Sequence, residues 1–337
     1  MNLLKRLFGL EEFFGLDIGY ENLKVVQLKK TASLFQLVSL GCSPSPREIF
    51  SREHIKDKEA LASAIAQAVK EHKIRAKAVV SALPESLVFT KILELPLIEP
   101  QALEYTIPNE VAGYIPLEPN QAYLDYQVIN QSEKGYEVLT VAAPKTLVDE
   151  FIETIRLAGL SLICLETKPL ANSRALLPKN SKEPFLIVDL GALATSLTIH
   201  DGQAIRFTAT LPIGGKLFSE RIALAQNISF EEAEKIKKTS GLKDPKIAHT
   251  LEHALVPLID EMAGGLKYFQ KHEGQIKLLK ILLTGGGAAM PDLDRLIEEK
   301  IGLKTERGNP WRMIKNPPPD QKSTLFTASI GLAMRQL

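Results

Sequence analysis

The sequence predicts an α/β protein built from two similar lobes, with a separate, smaller α+β module. Three observations carry that prediction. An apolar run ends in Gly15-Leu16-Asp17-Ile18-Gly19, and the same device returns as Ile187-Val188-Asp189-Leu190-Gly191. A third apolar run ends in Leu283-Thr284-Gly285-Gly286-Gly287. The chain has 337 residues, enough for two lobes with their own cores. Glycine turns after buried strands let backbone N–H groups approach an anion such as phosphate. Aspartates beside such turns suit Mg²⁺, which keeps most of its waters and takes one or two carboxylates.

The elements follow in order. Leu3, Leu4, Leu7 and Phe8 sit at helical spacing around Lys5 and Arg6, a short helix expected to pack on its own domain. Phe13–Ile18, Lys24–Lys29 and Leu34–Ser39 read as strands. Ala60, Leu61, Ala64, Ile65, Ala68 and Val69 share one face of a helix over Asp57–His72. Ala78–Leu83 is a strand stopped by Pro84. Residues 86–160 form a β-α-β-β-α module: strand Leu87–Leu93, a helix Ile98–Val111 broken at Pro108, strands Tyr123–Ile129 and Tyr136–Ala142, and helix Lys145–Leu157. Strand Ser161–Leu165 follows.

The second half restarts at strand Phe185–Asp189. Ser196–His200 and Ala204–Thr210 read as a hairpin with a type I′ turn at Asp201-Gly202. Helices are expected at Lys216–Gln226 and Phe230–Lys238, the latter started by a Ser229/Glu232 capping box, and then at His249–His272. Lys280–Leu283 is a strand, and Pro291 is expected in the first turn of a helix reaching Lys300. Asn309–Lys322 is a proline-rich loop in which Trp311 packs the loop onto its lobe. Thr327–Arg335 closes the chain as a helix.

Composition narrows the function. Apolar residues make up 45% and charged residues 24%, as in ordinary globular proteins. A net charge of +1 gives no basic field for nucleic acid. Cys42 and Cys164 lack metal-ligand spacing and fit a reducing cytoplasm. No apolar run reaches the ~20 residues of a membrane span. The start, with Glu11 and Glu12 after a short apolar stretch, is not a signal peptide.

Further segments join the glycine turns: Leu23-Lys24-Val25-Val26-Gln27-Leu28, Tyr114-Ile115-Pro116-Leu117, Leu124-Asp125-Tyr126-Gln127-Val128, Leu211-Pro212-Ile213-Gly214-Gly215, Glu231-Glu232-Ala233-Glu234 and Ile330-Gly331-Leu332-Ala333. In this order they resemble the actin-like ATPase superfamily. Within it the chain is similar to the PilM family of type IV pilus assembly proteins, relatives of FtsA. The resemblance implies duplicated, ribonuclease H-like lobes. The first lobe (1A) would hold 1–85 and 161–183, the FtsA/PilM-type subdomain (1C) 86–160, the second lobe (2A) 184–215 and 273–337, and subdomain 2B 216–272.

The same resemblance implies ATP and Mg²⁺ between the lobes. Asp17 and Gly19 fall on the first phosphate loop. Asp189, Gly191 and Thr195 fall on the second, with Gly214 and Gly215 also assigned to the nucleotide. Gly285, Gly286 and Gly287 fall on the adenosine loop, with Glu234 and Lys237 beside the nucleoside. Asp17 and Asp189 would hold the metal, and Glu166 matches the acidic, catalytic position that faces the γ-phosphate. Read from the residues alone, Glu234 and Lys237 are equally an i,i+3 surface pair, and Glu166 a strand-end charge.

Two departures bear on activity. Tyr20-Glu21-Asn22 and Ala192-Leu193-Ala194 stand where the family carries small hydroxyl residues. Each lost charge-assisted hydrogen bond costs ~1.5–3 kcal/mol. The expectation is at most weak ATPase activity, or a pseudo-ATPase scaffold. The implied partner is the cytoplasmic N-terminal tail of a PilN-like inner-membrane protein, with the chain peripheral at the inner face of that membrane. Two alternatives share the superfamily. An FtsA-like polymerising division protein would carry a membrane-binding tail, whereas this sequence ends just after its closing helix. A kinase needs a catalytic base aimed at a substrate hydroxyl, and no such constellation stands out.

Overall fold

A computed structural model describes residues 12–51, 54–178, 181, 183–272, 278–319 and 324–336. The amphipathic start at 1–10 lies outside the described residues. Apolar side chains on both faces bury β1 (Phe13–Ile18) in mid-sheet. It pairs antiparallel with β2 (Asn22–Lys30), which pairs with β3 (Phe35–Pro44). A two-residue ribbon, β4 (Phe50–Ser51) and β5 (His54–Ile55), leads to helix α1 (Lys58–Glu71). Asp57 lies just outside α1 and caps it by accepting the Ala60 N–H at 2.8 Å. The chain returns through β6 (Ala78–Leu83), parallel to β1.

The inserted module then begins. Its sheet is β7 (Phe89–Leu95), β9 (Gly135–Pro144) and β8 (Ala122–Ser132), in that spatial order. Helix α2 (Leu103–Ala112) buries Leu103, Ile107 and Val111 against Leu93, Leu95 and Val138. Pro108 lies inside α2 and does not break it. One lost backbone bond is outweighed by the three-residue apolar face on either side of the proline. Helix α3 (Lys145–Leu157) has the predicted bounds but not the predicted company. Leu147, Phe151 and Ile155 pack with Phe14, Leu61 and Ile65, so its apolar face belongs to the first-lobe core. The packing boundary therefore falls near Pro144 rather than at 160. Strand β10 (Ser161–Thr167) runs parallel to β6, and helix α4 (Lys168–Leu176) follows at once.

The second lobe repeats the first. Strand β11 (Phe185–Leu190) pairs antiparallel with β12 (Thr195–His200), which pairs with β13 (Ile205–Leu211). The hairpin turn is not type I′. Only Gly202 has a positive φ there, and Asp201 Oδ1 accepts the N–H groups of Gln203 and Ala204, an Asx-type closure. Helices α5 (Gly215–Gln226), α6 (Phe230–Thr239) and α7 (Pro245–His272) pack over this sheet. The Ser229/Glu232 capping box forms as predicted. Strand β14 (Lys280–Thr284) lies parallel to β11. Helix α8 (Leu293–Ile301) starts after Pro291, not on it. Pro291 packs at Gly241 and accepts the Leu242 N–H at 3.1 Å, which holds it outside the helix. Strand β15 (Thr305–Arg307) completes the sheet.

The two sheets have matching orders, β10-β6-β1-β2-β3 and β13-β12-β11-β14-β15 read from opposite ends. The closing helix α9 (Thr327–Ala333) does not stay with the second lobe. Its Ile330, Leu332 and Ala333 pack with Val26, Val80, Ala82, Ala171 and Ala175 of the first. An added Cβ on Gly331 would lie 1.9 Å from the Ala171 carbonyl, so glycine is what permits this approach. The loop ahead of α9 also reaches across: the Phe35 N–H donates to Met313 O at 2.9 Å, and Trp311 is buried beside Val26 and Phe326. Trp311 thus packs its loop onto the opposite lobe. No helix among the described residues is long and apolar enough to cross a membrane.

Candidate functional site

The ends of β1, β11 and β14 converge on a cleft of about 480 Å³. Asp17, Gly19, Asp189, Gly191, Gly215, Glu234, Lys237 and Gly285 to Gly287 all line it. Sequence reading therefore brings together ten of its expected residues. Three others are placed elsewhere. Thr195 is fully buried and donates to Ile213 O at 2.6 Å, tying β12 to the segment before α5. Gly214 packs against the Ala192 carbonyl, where a Cβ would come within 2.5 Å.

Glu166 is the third correction. It sits at the end of β10, where Arg174 Nη1 and Nη2 donate to it at 2.6 and 2.8 Å and Arg335 donates from the other side. The carboxylate is buried, doubly clamped and does not line the cleft. It joins α4 to the chain end after α9, and Arg174 also donates to Gly331 O at 2.7 Å. A general base must reach a substrate proton in the cleft, which Glu166 does not line.

The floor of the cleft is more charged than the glycine turns suggest. Lys24 lies directly opposite Asp17 across the β1–β2 pair, and its Nζ donates to Asp17 Oδ2 at 2.8 Å. Lys168, the first residue of α4, brings its Nζ within 2.8 Å of Asp17 Oδ1, an ion pair that is close but poorly directed. Burial would raise the Asp17 carboxyl, but the ammonium groups of Lys168 and Lys24 outweigh it and hold the group well below the usual carboxylate range. Asp189 is oriented by Asn172, whose Nδ2 donates to Asp189 Oδ2 at 3.0 Å.

Glu85 follows the Pro84 that ends β6 and is 9% exposed, with Oε2 lacking a partner. Burial raises its carboxyl to about 8, against the lowering influence of Lys168, so at neutral pH it is mostly the protonated acid. Asn172 Oδ1 is likewise buried and unsatisfied. Two orphaned polar groups at one cleft floor are what a polar ligand would satisfy. Lys24, Lys168, Glu85 and Asn172 were missed as site residues from sequence. Only Lys24 stood in a quoted motif, and the others carry no local signal.

The walls also differ in detail. The Gly19 N–H donates to Asn22 O at 3.0 Å and the Gly191 N–H to Ala194 O at 2.9 Å, so both close their own turns. Glu234 and Lys237 do form the i,i+3 pair, at 2.6 Å. Lys237 also donates to Gly215 O at 2.6 Å, and Ser219 hydrogen-bonds Glu234. Burial opposes the Glu234 charge, but these donors and Lys238 bring its carboxyl down to about 2. Gly285, at φ +82, sits where a Cβ would fall 2.4 Å from Asp189 Oδ1. Its glycine character thus joins the third loop to the second.

The metal expected on Asp17 and Asp189 fits poorly. Both Asp17 oxygens already face ammonium groups. No group of three or more His, Cys, Asp or Glu residues that could hold a metal ion occurs among the described residues.

Comparisons with known proteins agree with this architecture. The model of the family described as type IV pilus assembly protein PilM matches residues 15–337. A solved structure of a PilM-PilN type IV pilus biogenesis complex is 28% identical, covering 96% of this chain and 98% of that one, with a TM-score of 0.85. The cell division protein FtsA of Enterococcus hirae is 24% identical over 90% of this chain and 80% of its own length. MreB5 of Spiroplasma citri, solved with ADP, shares the fold at 14% identity and a TM-score of 0.59, over 95% of this chain and 94% of that one. Two duplicated sheets closing on one cleft, an FtsA-like sequence kinship and a family match over nearly the whole chain lead to one conclusion: this chain belongs to the PilM family of type IV pilus assembly proteins.

Proposed function

We propose that the chain is the actin-like component of a type IV pilus assembly platform, binding a nucleoside triphosphate between its lobes as a conformational ligand. A PilN-like membrane protein is its partner, through that protein's cytoplasmic N-terminal segment, which places the chain at the inner face of the membrane. The partner assignment follows the structural likeness to a PilM-PilN complex. The observation that supports the ligand is the cleft itself: Asp17 and Asp189 flank it, five lysines line it, and the polar atoms Glu85 Oε2 and Asn172 Oδ1 stand unsatisfied at its floor.

A ligand bridging the lobes favours one closure over another through its differential contacts. Hydrolysis is weak or absent on this reading. Glu166 is clamped by two arginines, and Glu85 is mostly protonated at neutral pH, so neither serves as a base toward water.

Calorimetric titration of ATP into the full chain tests the ligand, with Asp189→Ala as control. Binding that weakens about tenfold or more in the variant supports the reading, a difference of ~1.4 kcal/mol. No heat with a well-folded chain refutes it. A pull-down with the N-terminal peptide of a PilN-like protein, with and without ATP, tests the partner; failure in both conditions refutes that assignment.

A further inference from the structure

We infer that the Lys168 ammonium is a built-in counter-cation standing where a divalent metal would sit, so that this chain takes its nucleotide as the metal-free anion. This rests on the nucleotide reading above. Lys168 is the first residue of α4, directly after β10, and the next turn of that helix supplies Asn172 to Asp189. One helix start thus serves both lobe aspartates. The Lys168 Nζ lies 2.8 Å from Asp17 Oδ1, while Lys24 Nζ lies 2.8 Å from Oδ2.

Charge supports the assignment. Asp17 and Asp189 bring two negative charges to the cleft floor, and Lys24 and Lys168 bring two positive ones. The cluster is neutral without any metal. A divalent cation entering here would place two more positive charges beside an ammonium already touching its ligand oxygen. Like charges at such separation repel strongly in a partly buried site. Mg²⁺ also demands near-octahedral geometry at about 2.0–2.1 Å from its oxygens, and an ammonium at Oδ1 occupies that approach. Phosphate oxygens meet the opposite situation. Five lysines, Lys24, Lys168, Lys216, Lys237 and Lys238, line the cleft against the carboxylates of Asp17, Glu21, Asp189 and Glu234, so the lining carries an excess of one positive charge toward phosphate before any metal enters.

Two measurements on the full chain test this. In the first, Mn²⁺ alone is titrated and followed by its electron paramagnetic resonance signal. The wild type is expected to take up no Mn²⁺ tightly. Lys168→Gln and Lys168→Met are expected to gain one site, which Asp17→Asn then removes. In the second, a fluorescent ATP analogue is titrated with Mg²⁺ or with a chelator. Wild-type affinity is expected to change less than about twofold between the two conditions, and Lys168→Gln to lose about tenfold or more in chelator.

A tight Mn²⁺ site in the wild type, or wild-type nucleotide binding that collapses in chelator, overturns the inference. Nucleotide binding absent in both conditions removes the nucleotide reading instead. The Mn²⁺ titration then decides the role of Lys168 by itself: a site gained in both folded variants upholds the counter-cation, and no gain in either overturns it.

Discussion

Replacing Glu85 by Gln is the perturbation whose size the structure best defines. In the folded chain burial keeps this carboxyl protonated up to about 8, whereas its ordinary value is 4.5. Below the ordinary value both folded and unfolded chains hold the proton, and Glu85 contributes no pH dependence. As pH rises through 4.5 the unfolded chain releases its proton while the folded chain keeps it, so stability falls with rising pH. The fall ends near pH 8, where the folded chain also ionises. At ~1.4 kcal/mol per pH unit, the span from 4.5 to about 8 gives a ceiling of ~5 kcal/mol. Glu85→Gln removes that slope and keeps a neutral side chain of the same shape. Urea unfolding at a series of pH values between the two limits reads the effect as a midpoint that falls in the wild type and stays level in the variant, apart from slopes common to both. Parallel profiles for the two proteins would show that Glu85 is ionised in the native state at neutral pH. The cleft floor would then hold a third carboxylate beside Asp17 and Asp189 rather than a neutral acid.

Four further outcomes follow from the packing. Glu166→Ala leaves Arg174 and Arg335 uncompensated; because both arginines are about a third exposed, the expected loss is ~2 kcal/mol, below the ~3–5 of a fully buried pair, and calorimetric melting with nucleotide affinity unchanged would check it. Gly285→Ala puts a Cβ against Asp189 at a positive φ, so ATP affinity should drop at least about tenfold with a stability loss of ~1–2 kcal/mol; an unchanged titration would refute the joint between the loops. Phe151→Ala opens the first-lobe core where Phe151 stacks on Phe50 at 6.0 Å, costing ~3–5 kcal/mol, and hydrogen exchange should loosen β1 and β6. By contrast, Ile107→Ala should loosen the β7–β9 sheet and spare β1.

What was legible in the sequence was local or repeated. Strand and helix runs announce themselves through periodicity, and the Ser229/Glu232 box through three-residue spacing. The departures arise where partners come from afar. The family resemblance puts Glu166 at the γ-phosphate, while the residues alone read it as a strand-end charge. A register shift between Leu162 and Cys164 changes which face each later side chain takes, and Glu166 turns toward two arginines instead. Helix α3 reads as part of the inserted module because it follows that module in the chain. Its apolar face meets α1 and β1, which no nearby residue indicates.

The sequence by itself determined the duplication, the two aspartates and the three glycine turns, because each is a short-range pattern of residue type. Only the tertiary structure decided what those aspartates face. Asp17 meets Lys24 through strand pairing and Lys168 through the placement of α4, and Glu85 loses its water by burial at the cleft. Charge and protonation at the cleft depend on distances between residues far apart in the chain. Those distances exist only once both sheets and the crossing helix α9 have packed.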